Sequence, residues 1–260
     1  MQTIRIGSVS FLNAKPLIYG LEESPGIALH LEVPSKLLDG LLENRFDVAL
    51  LPVIDYQRMD GLRLVTSGAI ACDGPTLTVR VFSPTPIEQI KTLACDTDSH
   101  TSVALARVLL SERYKIHPEF VPLDQVRADD RSVARLLIGD KVVCEEPKDL
   151  PHQLDLGEAW KAHTGLPFVF ACWMARAGIE LGDLPFQLAA AKGEGLANVE
   201  SIIERFAIPR GWSTGDAREY LTHYLQFDIT SRHLEAIRLF HRKAKALGLV
   251  SGALRSLQIV

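Results

Sequence analysis

The fold is decided by three stretches near the start of the chain: Ile4-Arg-Ile-Gly7, Pro34-Ser-Lys-Leu-Leu-Asp-Gly-Leu-Leu42 and Val48-Ala-Leu-Leu51. The first stretch alternates like a short strand, and the third is a continuous apolar run typical of a buried parallel strand. The second begins with proline and serine, which suit a helix start, and its leucines form an apolar stripe. Strand, helix and strand in this order predict a βαβ unit, and therefore an α/β fold with a parallel sheet covered by helices.

The same alternation continues in the middle of the chain, and the last third is helical. Further strands are predicted at Thr92–Cys95, Glu119–Pro122, Arg135–Ile138 and Phe168–Trp173. A helix carrying Val103, Ala106, Leu109 and Leu110 is predicted after the first of these strands. Later helices are predicted around Val199–Phe206, after a cap at Thr214, and from Leu234 to a stop at Gly248.

No single linker divides the chain, which favours two interleaved lobes over two consecutive domains. The chain is predicted to cross between the lobes near Val79–Ser83 and again near Phe170–Ala175, because both segments are strand-like. Lobe one is then residues 1–82 plus 174–260, and lobe two is residues 83–173. In such an arrangement the ligand lies in the cleft between the lobes.

Composition excludes several classes of protein. The net charge of −4 argues against a nucleic-acid partner, since phosphate binding needs a basic face. No apolar run is long enough to span a bilayer, and the first residues lack a secretory leader, so a cytoplasmic protein without a membrane partner is expected. The four cysteines are widely spaced without a Cys-x-x-Cys pair, which predicts reduced, buried thiols.

Several common catalytic motifs are missing from the sequence. It contains no phosphate-binding Gly-x-x-x-x-Gly-Lys loop, no Gly-x-Gly-x-x-Gly, no His-Glu-x-x-His and no Gly-x-Ser-x-Gly. The eight histidines are scattered, and none pairs with Cys, Asp or Glu at metal-ligand spacing. The motifs therefore give no support to nucleotide, metal or serine-nucleophile chemistry, and no metal site is expected.

Polar clusters follow three of the predicted strands. They are Ser8-Val-Ser-Phe-Leu-Asn13, Asp96-Thr-Asp-Ser-His-Thr-Ser102 and Ile138-Gly-Asp140. Ligands of open α/β sheets bind outside the carboxyl ends of the strands, which is where these clusters lie. The hydroxyls of Ser99, Thr101 and Ser102 stand at a helix start, where free N–H groups favour a carboxylate. Ordinary capping of the helix explains the same hydroxyls and stays open.

Each of the other polar residues has a structural alternative. Asn13 can bond the backbone of a turn, and Asp140 can satisfy nearby amides. His100 is either a solvated histidine or a base, and Asp47, between a helix and a strand, is expected to be structural. By themselves, these residues indicate an anion-binding cleft.

At these same residues the sequence resembles the chorismate dehydratase family of the futalosine route to menaquinone. The resemblance covers roughly residues 4–175 in order and spacing, and the helical tail fits less distinctively. It rests on the segments Ile6-Gly-Ser-Val-Ser-Phe-Leu-Asn-Ala-Lys-Pro-Leu17, Val33-Pro-Ser-Lys-Leu-Leu38, Arg45-Phe-Asp-Val-Ala-Leu-Leu-Pro52, Gly74-Pro-Thr-Leu-Thr-Val79, Ser99-His-Thr-Ser-Val-Ala-Leu105, Leu136-Leu-Ile-Gly-Asp140, Asp155-Leu-Gly-Glu-Ala-Trp160 and Thr164-Gly-Leu-Pro-Phe-Val-Phe170.

The resemblance implies a fold of the type II periplasmic-binding-protein kind, no cofactor, and chorismate as the substrate. The products would be 3-(1-carboxyvinyloxy)benzoate and water. In the family an Asn and a Ser bind the side-chain carboxylate of the substrate. They match Asn13 and position 78, where this chain has Thr78, so both are expected to be catalytic. The remaining substrate-binding residues are expected to be Ser10, Ser35, Ser99, His100, Thr101, Ser102 and Asp140.

Because loss of water makes the ring aromatic, the enzyme mainly has to position groups and transfer a proton. Our hypothesis is that Asn13 and Thr78 hold the enolpyruvyl carboxylate over the C3 hydrogen, so that this carboxylate acts as the base. The helix start at Ser99–Ser102 would hold the ring carboxylate, and Asp140 or water would protonate the departing hydroxyl. A protein base such as His100 is the competing mechanism. Two other functions are compatible with the same fold: a 1,4-dihydroxy-6-naphthoate synthase of the same pathway and a small-anion solute-binding protein.

Overall fold

The structure is a computed structural model, which describes residues 3–96, 99–127, 130–144, 147 and 149–260. In chain order, its strands are β1 (Ile4–Val9), β2 (Ile27–Glu32), β3 (Val48–Pro52), β4 (Arg63–Cys72), β5 (Val79–Ser83), β6 (Thr92–Cys95), β7 (Glu119–Pro122), β8 (Ala134–Ile138), β9 (His152–Asp155) and β10 (Phe168–Ala175). The strands predicted in the middle of the chain are confirmed, with ends that differ by two residues at most.

Helices surround the strands and fill the last third of the chain. The α-helices are α1 (Pro34–Leu42), α2 (His100–Glu112), α3 (Asp140–Cys144), α4 (Leu156–Thr164), α5 (Leu184–Ala197), α6 (Val199–Ile202), α7 (Thr214–Glu219) and α8 (Ser231–Ala246). Short 3-10 turns lie at Leu12–Ile18, Leu21–Glu23, Val53–Gln57, Ile87–Gln89, Leu123–Gln125 and Ile208–Arg210, and π-helical turns at Ile203–Ala207 and Tyr220–Tyr224.

The strands form two sheets of five strands. The first sheet has the order β2-β1-β3-β10-β4, and the second has the order β7-β6-β8-β5-β9. The predicted βαβ unit is confirmed, since β1 and β3 pair in parallel on either side of α1 in the sequence. Both sheets are mixed, however, because β10 runs antiparallel to its two neighbours and so does β5. Strand β5 enters the second sheet from the first half of the molecule, and β10 enters the first sheet from the second half. Each therefore runs opposite to the neighbouring strands of its sheet.

The chain does not pass from one sheet to the other where the sequence predicts. Strand β5 lies wholly in the second sheet and β10 wholly in the first, whereas the predicted boundaries at residues 82 and 173 split both. The connections are instead residues 73–78 and the stretch from α4 to the start of β10. An apolar strand-like sequence shows that a segment is buried, but not which sheet supplies its hydrogen-bonding partners.

Aromatic packing ties the second connection to the first sheet and the C-terminal helix. Trp160 on α4, Phe168 on β10 and Phe240 on α8 meet edge to face, with ring centroids 5.0–6.0 Å apart. All three side chains are buried. Such pairs add to the stabilisation that burial of the rings already provides. This cluster fixes the position of α8 against the strand that returns from the second sheet.

Asp47 is structural, as the sequence indicates. Its carboxylate accepts two hydrogen bonds from the Arg5 side chain, at 2.8 and 3.0 Å, and one from Arg176 at 2.9 Å. The Arg5 backbone N–H donates to the same group. These hydrogen bonds outweigh the burial of Asp47 and lower its pKa to about 2. The buried carboxylate therefore joins β1 to the chain that follows β10.

Two local predictions need correction. Ser213, not Thr214, caps α7, and its side chain accepts from the Asp216 backbone N–H. Cys144 is exposed, whereas Cys72, Cys95 and Cys172 are buried as expected. The cap lies one residue before the predicted position, a difference that the sequence alone does not resolve.

Candidate active site

A cleft lies between the carboxyl end of the first sheet and the residues that follow β6 and β8 of the second sheet. It contains about 590 Å³ of space, part of it open to solvent, which is the size of a typical small-molecule site. Most of the wall is apolar, and polar side chains occupy six positions of it. These are Asn13, Thr76, Thr78, Ser99, Ser102 and Tyr220.

Three of these side chains form one hydrogen-bonded cluster, which we call the amide–hydroxyl cluster: Asn13, Thr78 and Tyr220. The Thr78 and Tyr220 hydroxyl oxygens are 2.7 Å apart, and the Asn13 side chain also hydrogen-bonds the Tyr220 hydroxyl. Asn13 Oδ1 is buried and has no partner among the described residues. A buried acceptor of this kind requires a partner, which a ligand in the cleft can supply.

Thr78 is held in place by the connection between the sheets. The Thr76 and Leu77 backbone N–H groups donate to the Asp155 carboxylate, at 2.8–3.0 Å, and the same carboxylate caps α4. Leu77 has a φ of 66°, a left-handed conformation that a branched side chain adopts only under constraint. The Gly139 N–H donates to the Thr78 carbonyl. Because its backbone is bonded on both sides, the Thr78 hydroxyl has a fixed direction into the cleft.

Tyr220 was not predicted from the sequence, where it counts only as one apolar residue of a C-terminal helix. It is 1% exposed and begins the π-helical turn that follows α7. Its ring stacks on Trp212, with centroids 5.1 Å apart. Burial raises the pKa of Tyr220, and the hydrogen bonds from Thr78 and Asn13 oppose this rise. The phenol therefore stays protonated and acts as a hydrogen-bonding group. The π-turn itself is a signal, since such turns often mark functional sites.

Asp140 lies behind this cluster and is not among the residues that line the cleft. The Trp212 indole N–H donates to its Oδ1 at 3.1 Å, and Arg210 pairs with it at 3.5 Å. Burial raises the pKa of Asp140, and the bonds to Trp212 and Arg210 oppose that shift. Asp140 thus contacts Trp212, whose ring stacks on Tyr220 of the amide–hydroxyl cluster.

The start of α2 divides into two pairs of residues. Ser99 and Ser102 line the cleft, with their hydroxyl oxygens 2.8 Å apart, and Ser99 also caps the helix by accepting from the Ser102 N–H. The predicted capping is therefore present, and it leaves both hydroxyls at the cleft wall.

His100 and Thr101 point away from the cleft toward the first half of the chain. His100 Nδ1 lies 3.0 Å from both oxygens of Asp55, and Thr101 Oγ1 accepts from the Ile54 N–H at 3.2 Å. Neither residue is among those that line the cleft. Their contacts hold α2 against the 3-10 turn that follows β3.

Ser10 and Ser35 also lie outside the lining of the cleft. Ser10 is exposed and its carbonyl accepts from Arg210, while Ser35 is the second residue of α1 and half-buried. Of the predicted site residues, the structure therefore brings together Asn13, Thr78, Ser99 and Ser102.

The described residues contain no group of three or more His, Cys, Asp or Glu side chains suited to a metal ion. In the same ranges, no helix is both long and apolar enough to cross a bilayer.

Two mixed five-stranded sheets with a cleft between them define a protein of the periplasmic-binding-protein fold. A protein of Archaeoglobus fulgidus has a TM-score of 0.76 and 18% identity, covering 95% of this chain and 98% of its own. The alkanesulfonate-binding protein of Xanthomonas axonopodis, bound to MOPS, has a TM-score of 0.70 and 13% identity, covering 97% and 95%. A Candida albicans protein described as having the generic periplasmic binding protein fold has a TM-score of 0.69 and 12% identity, covering 98% and 92%.

The chain belongs to a family described as menaquinone biosynthesis, whose sequence model matches residues 4–246. Its curated relatives include a chorismate dehydratase of Campylobacter jejuni, 27% identical over 94% of this chain and 98% of the relative. A chorismate dehydratase of Thermus thermophilus is 29% identical over 78% of this chain and 82% of the relative.

Proposed function

We propose that this protein is a chorismate dehydratase, a carbon–oxygen lyase that converts chorismate to 3-(1-carboxyvinyloxy)benzoate and water. The observation that carries the proposal is the amide–hydroxyl cluster, which presents Asn13 and Thr78 to the cleft between the sheets. The family and the activity of both curated relatives support it. Neither a 1,4-dihydroxy-6-naphthoate synthase nor a small-anion solute-binding protein has comparable support.

The cleft offers two separate groups of donors for the two carboxylates of chorismate. One is the amide–hydroxyl cluster, and the other is the pair of hydroxyls of Ser99 and Ser102 at the start of α2. The free N–H groups of that helix start add to the attraction for an anion. We assign the enolpyruvyl carboxylate to Asn13 and Thr78, and the ring carboxylate to the helix start.

The proposed reaction moves one proton within the substrate. The enolpyruvyl carboxylate takes the proton from C3, and the C3–H electron pair forms the C3–C4 double bond. The C4–O bond breaks, and the departing hydroxide takes the proton that the carboxylate removed from C3, so that it leaves as water and the carboxylate is restored. Aromatisation of the ring drives these steps. In this proposal Asn13 Oδ1, the buried acceptor without a partner among the described residues, binds the C4 hydroxyl, so that one side chain aligns the base and the leaving group.

The side chains that line the cleft favour a base supplied by the substrate. Among the described residues that line the cleft there is no Asp, Glu, His, Lys or Arg. A carboxylate bound by neutral donors in an apolar cleft keeps more of its basicity than one paired with a cation, because an adjacent cation lowers its pKa. His100, the alternative base, faces Asp55 instead.

Tyr220 acts in this proposal as a positioning residue. Its hydroxyl can accept from the Asn13 amide and donate to the Thr78 oxygen, since Thr78 and Tyr220 are 2.7 Å apart. The Thr78 proton is then directed to the cleft and the ligand carboxylate. The proposed chain of hydrogen bonds thus runs from the Asn13 amide through Tyr220 and Thr78 to the substrate carboxylate.

The test is a single-turnover experiment with purified protein and chorismate, followed by mass spectrometry for the aromatic enol ether. Formation of that product, and its loss in Asn13→Ala, is expected. A chorismate analogue with the enolpyruvyl carboxylate masked as an amide should bind and remain unreacted. Turnover of the amide would show that a protein group is the base, and intact chorismate with the parent protein would refute the function itself.

A further inference from the structure

Asp140 is the central residue of a contact between the second sheet and the C-terminal part of the chain. It begins α3, directly after β8 of the second sheet. Its carboxylate contacts Trp212 and Arg210, which precede α7. The segment after α7 is joined to the first sheet, where Gln226 forms a bridge with β4. A side chain from the second sheet thus bonds residues that are anchored on the first.

The Asp140 carboxylate also reaches the turn that carries Asn13. The 3-10 turn Leu12–Ile18 begins without a side-chain cap from its own N-cap residue, Phe11. The Leu12 backbone N–H hydrogen-bonds the Asp140 carboxylate. N–H groups at the start of a helical turn lack partners within the turn, and a carboxylate is a good acceptor for them. Asp140 therefore holds the start of the turn, one residue before Asn13.

The same carboxylate orients the ring behind Tyr220. The Trp212 indole N–H donates to Asp140 Oδ1 at 3.1 Å, and the indole stacks on the Tyr220 ring. Trp212 is 3% exposed, and a buried indole N–H needs an acceptor. Its hydrogen bond to Asp140 fixes the direction of the indole. The stacked indole in turn fixes the phenol that joins Thr78 to Asn13.

Arg210 braces α3 at both of its ends. Its Nε lies 3.5 Å from Asp140 Oδ2, and its guanidinium also donates to the carbonyls of Phe206, at 2.6 Å, and Ser10, at 3.3 Å. The thiol of Cys144, the last residue of α3, donates to the Arg210 carbonyl. These bonds restrain the helix as a whole, and with it the position of the Asp140 carboxylate.

The contact adjoins the cleft without opening into it. Phe11 and Gly139 both line the cleft, and a Cβ atom on Gly139 would lie 3.8 Å from the Phe11 ring. Asp140, the next residue, is not among the lining residues. A side chain that bonds the supports of the amide–hydroxyl cluster, but does not line the cleft, acts on the reaction through those supports.

We propose that Asp140 is a positioning residue for the dehydration, which holds the turn bearing Asn13 and the Trp212 ring in fixed positions relative to each other. The proposal rests on the proposed function, in which Asn13 and Tyr220 need fixed directions. It replaces a role for Asp140 as the acid that protonates the departing hydroxyl. A displacement of about 1 Å in a positioned group can lower a rate about 10²-fold, so a residue behind the cleft can control the chemical step.

Two variants of Asp140 separate positioning from acid catalysis in single-turnover dehydration of chorismate. Asp140→Ala removes every bond of the carboxylate and should lower the rate at saturating chorismate about 100-fold. The half-saturating concentration should change little, because Ser99 and Ser102 still bind the ring carboxylate. Asp140→Asn keeps an acceptor for the Trp212 indole and should stay within about tenfold of the parent, which is roughly the contribution of one hydrogen bond. Equal losses in both variants, with one limb of the pH profile missing, would show that Asp140 is an acid and would overturn the proposal.

A double-mutant cycle tests whether Asp140 acts through Trp212. Trp212→Phe keeps a ring against Tyr220 and removes the N–H that Asp140 accepts. Asp140→Ala should therefore cost less in the Trp212→Phe background than in the parent, and additive losses would contradict the coupling. The matched control is Asp47→Asn, which alters a buried, paired carboxylate outside the cleft lining. It should lower the melting temperature and leave the single-turnover rate unchanged; a rate loss like that of Asp140→Ala would make the effect one of general stability.

Amide hydrogen exchange distinguishes failure of this proposal from failure of the proposed function. Asp140→Ala should raise exchange in Leu12–Ile18 and in Tyr220–Tyr224, whereas Asp47→Asn should leave both segments as in the parent. Unchanged exchange in both segments of Asp140→Ala overturns the positioning role whatever the activity. Intact chorismate with the parent protein would refute the function, and the exchange pattern would then decide by itself whether Asp140 orders the two segments.

Discussion

Removal of the Tyr220 hydroxyl tests the core of the proposed site. Tyr220→Phe keeps the ring and its stacking on Trp212, and it deletes the group that joins Thr78 to Asn13. A buried polar group left without a partner costs about 1–3 kcal/mol. Without the Tyr220 hydroxyl, the Thr78 and Asn13 side chains lose their fixed directions toward the substrate carboxylate, so part of this cost falls on the transition state. We therefore expect a loss of about 1–2 kcal/mol in transition-state binding, which is about 5- to 30-fold in kcat/KM.

The assay is single-turnover dehydration of chorismate across a pH series, with the melting temperature measured in parallel. The matched control is Tyr224→Phe, the same change in the same π-turn at a residue outside the cleft lining. For a positioning role, the shape of the pH profile should stay that of the parent while the rate falls. A general acid would instead lose about 10²–10⁴ in rate and one limb of the profile. Activity equal to that of the control would refute the role of Tyr220.

Three further predictions follow from the same geometry. Thr78→Val should lower kcat/KM by about 1–3 kcal/mol, the cost of an unpaired buried acceptor, whereas Thr78→Ser should stay within a few-fold; equal rates would count against the assignment. Asn13→Ala should lower kcat sharply while His100→Asn keeps most of the chemical step, and single-turnover rates in the reverse order would move the base to the protein. The pKa of Asp47 is about 2 when folded and 3.8 in the unfolded chain, so its pairing should contribute about 2 kcal/mol above pH 4. That stabilisation is fully present above the unfolded pKa and fades as the pH falls from about 4 to about 2. Denaturant titrations of the parent and Asp47→Asn should converge over that range, and a constant gap would refute the linkage.

Much of the architecture could be predicted from local sequence, because it depends on local periodicity. The apolar run at Val48–Leu51 and the stripe on α1 specify a βαβ unit whichever sheet completes it. The polar clusters were expected outside the carboxyl ends of strands, and Asn13, which follows β1 of the first sheet, lines the same cleft as Ser99 and Ser102, which follow β6 of the second. The expected reaction and substrate came from the resemblance of the motifs to a known family, because residue spacing alone did not indicate them.

The direction of the strands and the sheet to which each belongs could not be predicted from the sequence. Strands β5 and β10 have apolar sequences that satisfy either sheet, and only the path of the connecting chain makes each antiparallel to its neighbours. The same ambiguity explains why the predicted boundaries between the halves missed residues 73–78, the short connection that carries Thr78.

The composition of the site was settled by tertiary packing. Successive residues of a helix point about 100° apart, so Ser99, His100, Thr101 and Ser102 cannot all face one cleft. Contacts with Asp55 and Ile54 turn His100 and Thr101 away and leave the two serines at the wall. Tyr220 reaches Thr78 across 142 positions of sequence. No local pattern encodes that contact, because it forms only when the C-terminal helices pack over the junction between the two sheets.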